Sequence, residues 1–508
     1  MADIKKIAMK NSFTGLLSQI ISMFFLFVTR NLFIKYIGIE LLGLNGTFTS
    51  ILQTLSLAEL GFQTAIVHSM YKPLAENDRK SLNDIVNAFK YIYRTIGLFF
   101  IIATICVCPF LNRIITGIEV TGVIYVYFIV QSMSSVATYF LAYKRSLLFA
   151  DQKDYISKII DMIVNIIACA MQVLAIVVCQ SYLLYIMIKV FQVIVSNIIV
   201  HIACNKIYPY LKNDTVNKEL LKSLWIDVKS IFVGKIASYV YTSTPNLVIS
   251  IFIRTSLVGF LTNYTVIITN LKTLLNCLVS PVAPIVGKSI AEKQSAERQY
   301  KLLSVYTHFR YVLSLGIIIP IIILISTFIS FWVGANFVLP QIAVYLISAE
   351  FYIHLVHSAL CDYINGEGLF NQEKYISIIA AISNLIVSVF FAITIGLEGV
   401  LLGTLVSQGI FWIGRSIIVF KYCFSEVPNI FVKYWFEQIK YIIVFAVLTI
   451  LCQMIYSVIS IDLLILRFIV GGVVCEIIII CAYILIFGRS QNFKEFLCMV
   501  KQMIRKEN

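Results

Sequence analysis

Gln152-Lys153-Asp154-Tyr155-Ile156-Ser157 returns 220 residues later as Gln372-Glu373-Lys374-Tyr375-Ile376-Ser377. Each copy stands in a polar break and leads into a long apolar run. A second echo has nearly the same spacing: Leu41-Leu42-Gly43-Leu44 opens one apolar run, and Leu257-Val258-Gly259-Phe260 opens another. Two matches at nearly equal offsets, in corresponding places, predict two similar halves joined in one chain. Internal repetition of this kind decides the architecture before any single element does.

Working outward, the 508 residues are 60% hydrophobic and only 13% charged, where soluble domains carry about 25% charged residues. That excludes a conventional soluble domain. Apolar runs fall at about 13–33, 43–70, 91–111, 120–143, 156–178, 182–204, 230–253, 256–283, 305–329, 339–361, 375–395, 398–420, 438–459 and 463–487. Each has membrane-crossing length, about 20 residues. The first follows Lys5, Lys6 and Lys10 and lacks a small-residue cleavage site. It therefore reads as a retained helix and not as a signal peptide.

Of the 40 basic residues, 32 lie in the segments that share a side with the N-terminus and 5 on the other side. The five are Arg30, Lys35, Arg113, Arg254 and Arg467. Lys189, Lys235 and Lys272 fall inside runs. This asymmetry predicts cytoplasmic termini and short outer loops, and it accounts for the net charge of +14 without a nucleic-acid partner. The twelve cysteines show no pairing pattern and offer no zinc site.

The expectation is an all-α integral membrane protein of about 14 transmembrane helices. The motif copies start runs 5 and 11, and the glycine echoes start runs 2 and 8, so run n matches run n+6. An even number of helices per repeat makes the halves parallel. The predicted organisation is an N-lobe over 1–204, a linker over 205–229, a C-lobe over 230–421, two appended helices over 438–487 and a tail over 488–508. Linker and tail both read as amphipathic helices on the inner surface.

Several stretches resemble a known family. Arg30, Gly38, Leu42-Gly43-Leu44, Leu55, Glu59-Leu60-Gly61 and Tyr71-Lys72-Pro73-Leu74-Ala75 are similar to the start of bacterial polysaccharide flippases. So are the Gln-x-x-Tyr-Ile-Ser copies and Gly396-Leu397-Glu398-Gly399. Those proteins, with O-antigen and capsule-unit flippases among them, belong to the multidrug/oligosaccharidyl-lipid/polysaccharide exporter superfamily. The resemblance implies six plus six helices, then two more. It also implies alternating-access transfer of undecaprenyl-diphosphate-linked oligosaccharide from the inner to the outer leaflet of the plasma membrane, beside membrane lipid and a polysaccharide polymerase partner, with no cofactor.

A diphosphate headgroup must cross about 30 Å of hydrocarbon. A basic residue at membrane depth costs at least about 2.5–3.5 kcal/mol, so it is a functional candidate by default. Lys272 lies past the middle of run 8, and Glu59 lies at comparable depth in run 2. The pair reads as a gate, as a shared diphosphate site, or as a structural ion pair. Arg30 and Arg254 lie near the outer ends of runs 1 and 7. An arginine fork suits a diphosphate, and relatives use basic residues in the first helix; snorkelling to headgroups is the plainer role for Arg254. Lys235, near the inner end of run 7, either receives substrate or snorkels.

Pro245 interrupts run 7 as a hinge or a static kink, with nearby hydroxyls and Asn246 available to its freed backbone groups. Asp161 and Lys189 are expected to neutralise each other inside the first lobe. Glu350, His354 and His357 share a helix face as a wet face, an ion-coupling site or, least favoured, a metal site.

No nucleotide loop is visible: Gly287-Lys288-Ser289 lacks the preceding glycine of a P-loop. Catalytic motifs are likewise not found, so a transporter and not an enzyme is expected. The rival readings are a multidrug or cation antiporter of the same fold, a peptidoglycan-precursor flippase, and a membrane polymerase or glycosyltransferase. The basic series Arg30, Lys235 and Lys272 speaks against the first, and the short outer loops speak against the last.

Overall fold

The structure is a computed structural model that describes residues 2–56, 69–70, 73–74, 76–151, 153–212, 243–279, 282, 286–287, 289–290, 292, 294–489 and 493. Among those residues the fold is helical, without strands. The helices that bear on the site are α1 (Ala2–Tyr36), α2 (Ile39–Leu55), α3 (Arg79–Val107), α4 (Gly122–Leu141), α5 (Asp154–Val177), α6 (Tyr182–Ile207), α7 (Ser243–Phe252) and α8 (Thr255–Val279). They continue as α9 (Ala296–Trp332), α10 (Gln341–Glu367), α11 (Phe370–Ile395), α12 (Leu397–Tyr422), α13 (Ile430–Val458) and α14 (Leu464–Phe487).

By length and composition, ten of these described helices can cross a membrane: α3 to α6 and α9 to α14. The chain is a multi-pass membrane protein. The other four are shorter or more polar. α8 alone carries Asn263, Asn270, Asn276, Lys272 and five threonines. Local chemistry sets the boundaries. Asp78 starts α3 by accepting hydrogen bonds from the backbone N–H of Lys80 and Ser81, 3.1 Å each, which satisfies donors that a helix start leaves open. Gly396, at φ 72°, joins α11 directly to α12.

Packing divides the chain into two units, Met1–Gly259 and Phe260–Asn508. In the first, α1 packs on α5, and α4 and α5 pack on α6. Phe48, Phe89, Phe100 and Phe128 are fully buried. Gln131 of α4 donates to Thr49 of α2 (3.1 Å) and accepts from Tyr182 of α6 (3.3 Å), so three helices share one polar tie.

The repeated glycines meet in this unit. A Cβ on Gly43 would collide with the Thr255 carbonyl oxygen, and one on Gly259 would lie 2.8 Å from the Ile39 carbonyl oxygen and 3.1 Å from the Gly43 nitrogen. The starts of α2 and α8 thus cross backbone to backbone, a contact only glycine permits. Hydrogen bonds lock the α7–α8 turn beside it. Thr116 N–H donates to Thr255 Oγ1 (3.0 Å), and Thr116 Oγ1 donates to the Ser250 carbonyl (2.5 Å).

In the second unit, α12 packs on both α10 and α11, and α9 packs on α10, α13 and α14. Tyr306, Tyr311, Phe351 and Tyr363 are fully buried. His308 of α9 bonds Tyr441 of α13 (2.9 Å) and Tyr483 of α14 (2.8 Å). The two appended helices are therefore bolted to α9 through one ring.

Candidate functional site

Lys272 lies on α8 in the second unit. Its Nζ donates to both carboxylate oxygens of Glu350 on α10, at 3.2 and 3.0 Å, and sits 5.4 Å from the centre of the Phe351 ring. The lysine side chain is 25% exposed and the glutamate 13%. The cost of placing a lysine in an apolar helix is offset by a carboxylate that accepts two bonds and by an aromatic face.

The pair is one end of a longer chain. Gln408 of α12 donates to Glu350 Oε1 (3.0 Å), and the Gln408 oxygen faces His357 Nε2 (2.9 Å). His357 Nδ1 faces Arg415 Nη1 (3.2 Å), and Arg415 Nε donates to Glu373 of α11 (2.7 Å). Lys272, Glu350, Gln408, His357, Arg415 and Glu373 thus form one continuous hydrogen-bonded path over four helices. From Glu350 to His357 the path descends about 10 Å along α10.

This geometry decides a protonation state. The Gln408 amide nitrogen serves Glu350, so its oxygen must accept from His357 Nε2–H. Nδ1 then accepts from Arg415, and the ring is the neutral Nε2–H tautomer. A second proton on His357 would set an N–H against the Arg415 N–H. It can be taken up only if Arg415 moves off.

Of Glu350, His354 and His357, expected together on one wet face, only His357 is fully buried. His357 is 1% exposed and bonded on both sides, and Glu350 is engaged by Lys272 and Gln408. His354 is half-buried, with its ring centre 6.0 Å from that of His357. No cluster of three metal-ligating side chains occurs among the described residues.

The first unit holds a cavity of about 640 Å3 among α1, α5 and α6. Arg145 and Asp161 line it and pair twice, at 2.8 Å each. Arg145 also donates to Asn197 (2.7 Å) and Ser196 (2.8 Å). The expected pairing of Asp161 with Lys189 is thus overturned: a fork reaches both carboxylate oxygens, where an ammonium offers only a point charge. Lys189 lines the same cavity, and no described residue pairs with it.

Arg30 is 9% exposed, with Tyr185 in electrostatic range. Arg254 is exposed, and its side chain covers Gly117. α7 runs unbroken from Ser243 through Pro245. The Asn246 amide donates to Ser50 of α2 (2.9 Å), and residue 241, whose carbonyl the proline frees, lies outside the described residues. Glu59 and Lys235 lie outside the described residues, as do the tail beyond Phe493 and the linker from 213 onward.

Sequence reasoning missed Arg145, Gln408, Glu373 and Arg415 as participants. Glu373 and Arg415 stand at the polar margins of their runs and counted only as loop charges. Their opposite signs on consecutive, hairpin-joined helices were the available signal.

The comparisons with known proteins agree with this architecture. The fold matches the lipid II flippase MurJ in an inward closed conformation, at 15% identity and TM-score 0.64, over 93% of this chain and 98% of that one. It also matches an inward-facing MATE-family multidrug resistance transporter of the MOP superfamily, at 11% identity and TM-score 0.62, over 80% and 98%. A third match is a mutant of the Vibrio cholerae MATE transporter VcmN, at 12% identity and TM-score 0.54, over 85% and 100%. No curated protein sequence matches the chain. The family model described as "Polysaccharide biosynthesis protein" matches residues 8–290, more than half of the chain. The chain belongs to this polysaccharide biosynthesis protein family, with the all-helical fold shared by MATE transporters and MurJ.

Proposed function

We propose that the protein is a flippase for oligosaccharide repeat units carried on undecaprenyl diphosphate, moved from the inner to the outer leaflet of a bacterial plasma membrane by alternating access. The observation that carries this reading is Lys272, paired with Glu350 on α10, a helix of membrane-crossing length. A diphosphate can take the place of the carboxylate, because both present paired oxygens to the ammonium. Family membership supports a role in polysaccharide assembly, and the lipid II flippase with the same fold supports a lipid-linked cargo. The protein acts on position and not on bonds, so it is a transporter and not an enzyme.

Exchange of Glu350 for a diphosphate would free the carboxylate at one end of the path and disturb Gln408 and His357 behind it. That connection supports coupling of transport to proton uptake. Both termini are cytoplasmic in this reading, as the basic asymmetry requires.

The test is the leaflet distribution of the lipid-linked glycan in cells lacking the gene. Accumulation in the inner leaflet is expected. Normal transfer, with unpolymerised units outside, would point to a polymerase instead. Complementation by Lys272→Ala at equal protein level is expected to lower flipping at least about tenfold, the loss of one charge-assisted contact, and Lys272→Arg to retain part of it. Normal flipping by Lys272→Ala removes that residue from the mechanism.

A further inference from the structure

Near its middle, α14 carries a carboxylic acid that the path from Lys272 does not include. Glu476 stands 12 residues from the first residue of α14 and 11 from the last, about 18 and 16 Å along the axis. The helix is of membrane-crossing length, and Glu476 is half-buried in it. No described cation pairs with it. The helices packed on α14 are α9 and α13. From Tyr311 to Trp332, α9 carries no charged residue and no histidine, and neither does α13 from Tyr441 to Val458.

The titratable groups that face Glu476 are therefore few. Cys475 beside it and Cys452 of α13 lie in electrostatic range. Tyr456 of α13 lies further along, against Gly471. Its hydroxyl bonds Thr327 (2.7 Å), and its ring stands 5.1 Å from the Arg467 guanidinium. That engages the one cation of α14. An acid in an apolar span, with no cation beside it, is accommodated as its neutral form, which is an O–H donor.

An acceptor stands across from it. Pro320 lies inside α9. It has no N–H, so the Gly316 carbonyl, four residues earlier, loses its helical donor. Gly316 is also the residue that Glu476 faces. A Cβ on Gly316 would lie 3.8 Å from Glu476 Oε2, and nothing else from a facing helix comes within 4 Å of that point. Contacts further along fix the register. Leu324 packs on Gly471 and Gly472, and the Phe328 and Phe468 rings lie 5.7 Å apart. The two helices thus run antiparallel, and Glu476 falls at the turn that Pro320 opens.

We propose that Glu476 is a proton-binding site that clasps α14 to α9. Protonated, it donates its O–H to the Gly316 carbonyl. Deprotonated, it is acceptor only, sets oxygen against oxygen, and the clasp opens at the proline turn. The ligand is a proton, taken from water and returned to it. The site is separate from the path that starts at Lys272, and it stands independently of the flippase reading, because proton occupancy is measured without transport.

The test is infrared spectroscopy of purified full-length protein in phosphatidylcholine nanodiscs, in acidic and in alkaline buffer. The proteins are the parent, Glu476→Gln, Pro320→Ala and the double variant. Subtracting each Glu476→Gln spectrum from its own background cancels the other carboxyls and leaves the carbonyl band of the Glu476 acid. That band is expected in acid and lost in alkali. Pro320→Ala restores an N–H to the Gly316 carbonyl, so the band is expected to shift to that of an unbonded acid. Thermal unfolding gives a second reading: Glu476→Ala is expected to lower the unfolding temperature of the parent and to leave that of Pro320→Ala unchanged. If Glu476→Gln does not fold, the parent spectrum minus that of Pro320→Ala still shows the shift as a paired loss and gain. No Glu476 band in acid, a band that alkali leaves in place, or a band that Pro320→Ala does not move overturns the proposal.

Discussion

Lys272 and Glu350 are each a liability alone. Removing Lys272 strands a largely buried carboxylate, so Lys272→Ala is expected to cost about 2 kcal/mol of stability. The double variant Lys272→Ala/Glu350→Ala is expected to recover most of that loss in thermal unfolding while transport stays low. Recovery of both would make the pair structural only. Sequence alone marks both residues as charges out of place in apolar helices. It does not mark them as partners, because 78 residues separate them and periodicity tells which face a residue shares, never which helix that face meets. The same limit explains Asp161: its true partner, Arg145, stood in what looked like a loop.

At the scale of elements, the crossing of α2 and α8 depends on two absent side chains. Gly259→Val would press a branched side chain against the Ile39 carbonyl, an overpacking cost of about 1–3 kcal/mol. A lowered unfolding temperature, with Gly122→Ala as a control at an open position, is the expected result. The helix starts are testable as well. The hydroxyl of Ser81, followed by backbone bonds, holds the Asp78 carboxyl below its usual range. A carboxyl depressed in the folded state lends stability above its unfolded value and loses it as pH falls through the folded one. Part of the stability of α3 should therefore fade on acidification, and Asp78→Ala should remove that part of the pH dependence. The start of α3 at Arg79 is not legible in the sequence, which places the apolar run at 91–111, because the cap at Asp78 stands well before the apolar stretch. The glycine echo was legible as a repeat, but its contact was not, because a close approach of two backbones leaves no pattern in either sequence segment.

For the whole molecule, the basic asymmetry and the repeat register made a multi-pass helical fold legible before any contact was known. The sequence reads α1, α2, α7 and α8 as spans from apolar runs of about 20 residues, beside the ten described helices of membrane-crossing length. Orientation can be checked with two native cysteines. Cys179, exposed between α5 and α6, is expected outside. Cys423, just past α12, is expected inside. In variants that keep one of them, a membrane-impermeant maleimide should label Cys179 in intact cells and Cys423 only after permeabilisation. The reverse pattern would invert the topology and remove the cytoplasmic placement of both termini.

The distance along the chain between Lys272 and Glu350 also has a consequence during synthesis. A ribosome adds about 5–20 residues per second, so α8 emerges about 4–16 seconds before its counter-charge does. For that interval α8 holds an uncompensated ammonium and a row of threonines and asparagines. It is a poor candidate to leave the insertion machinery for lipid unaided. Its stable placement must wait for α10, which makes α8 to α10 a single step of membrane insertion, even though each helix reads as a separate span.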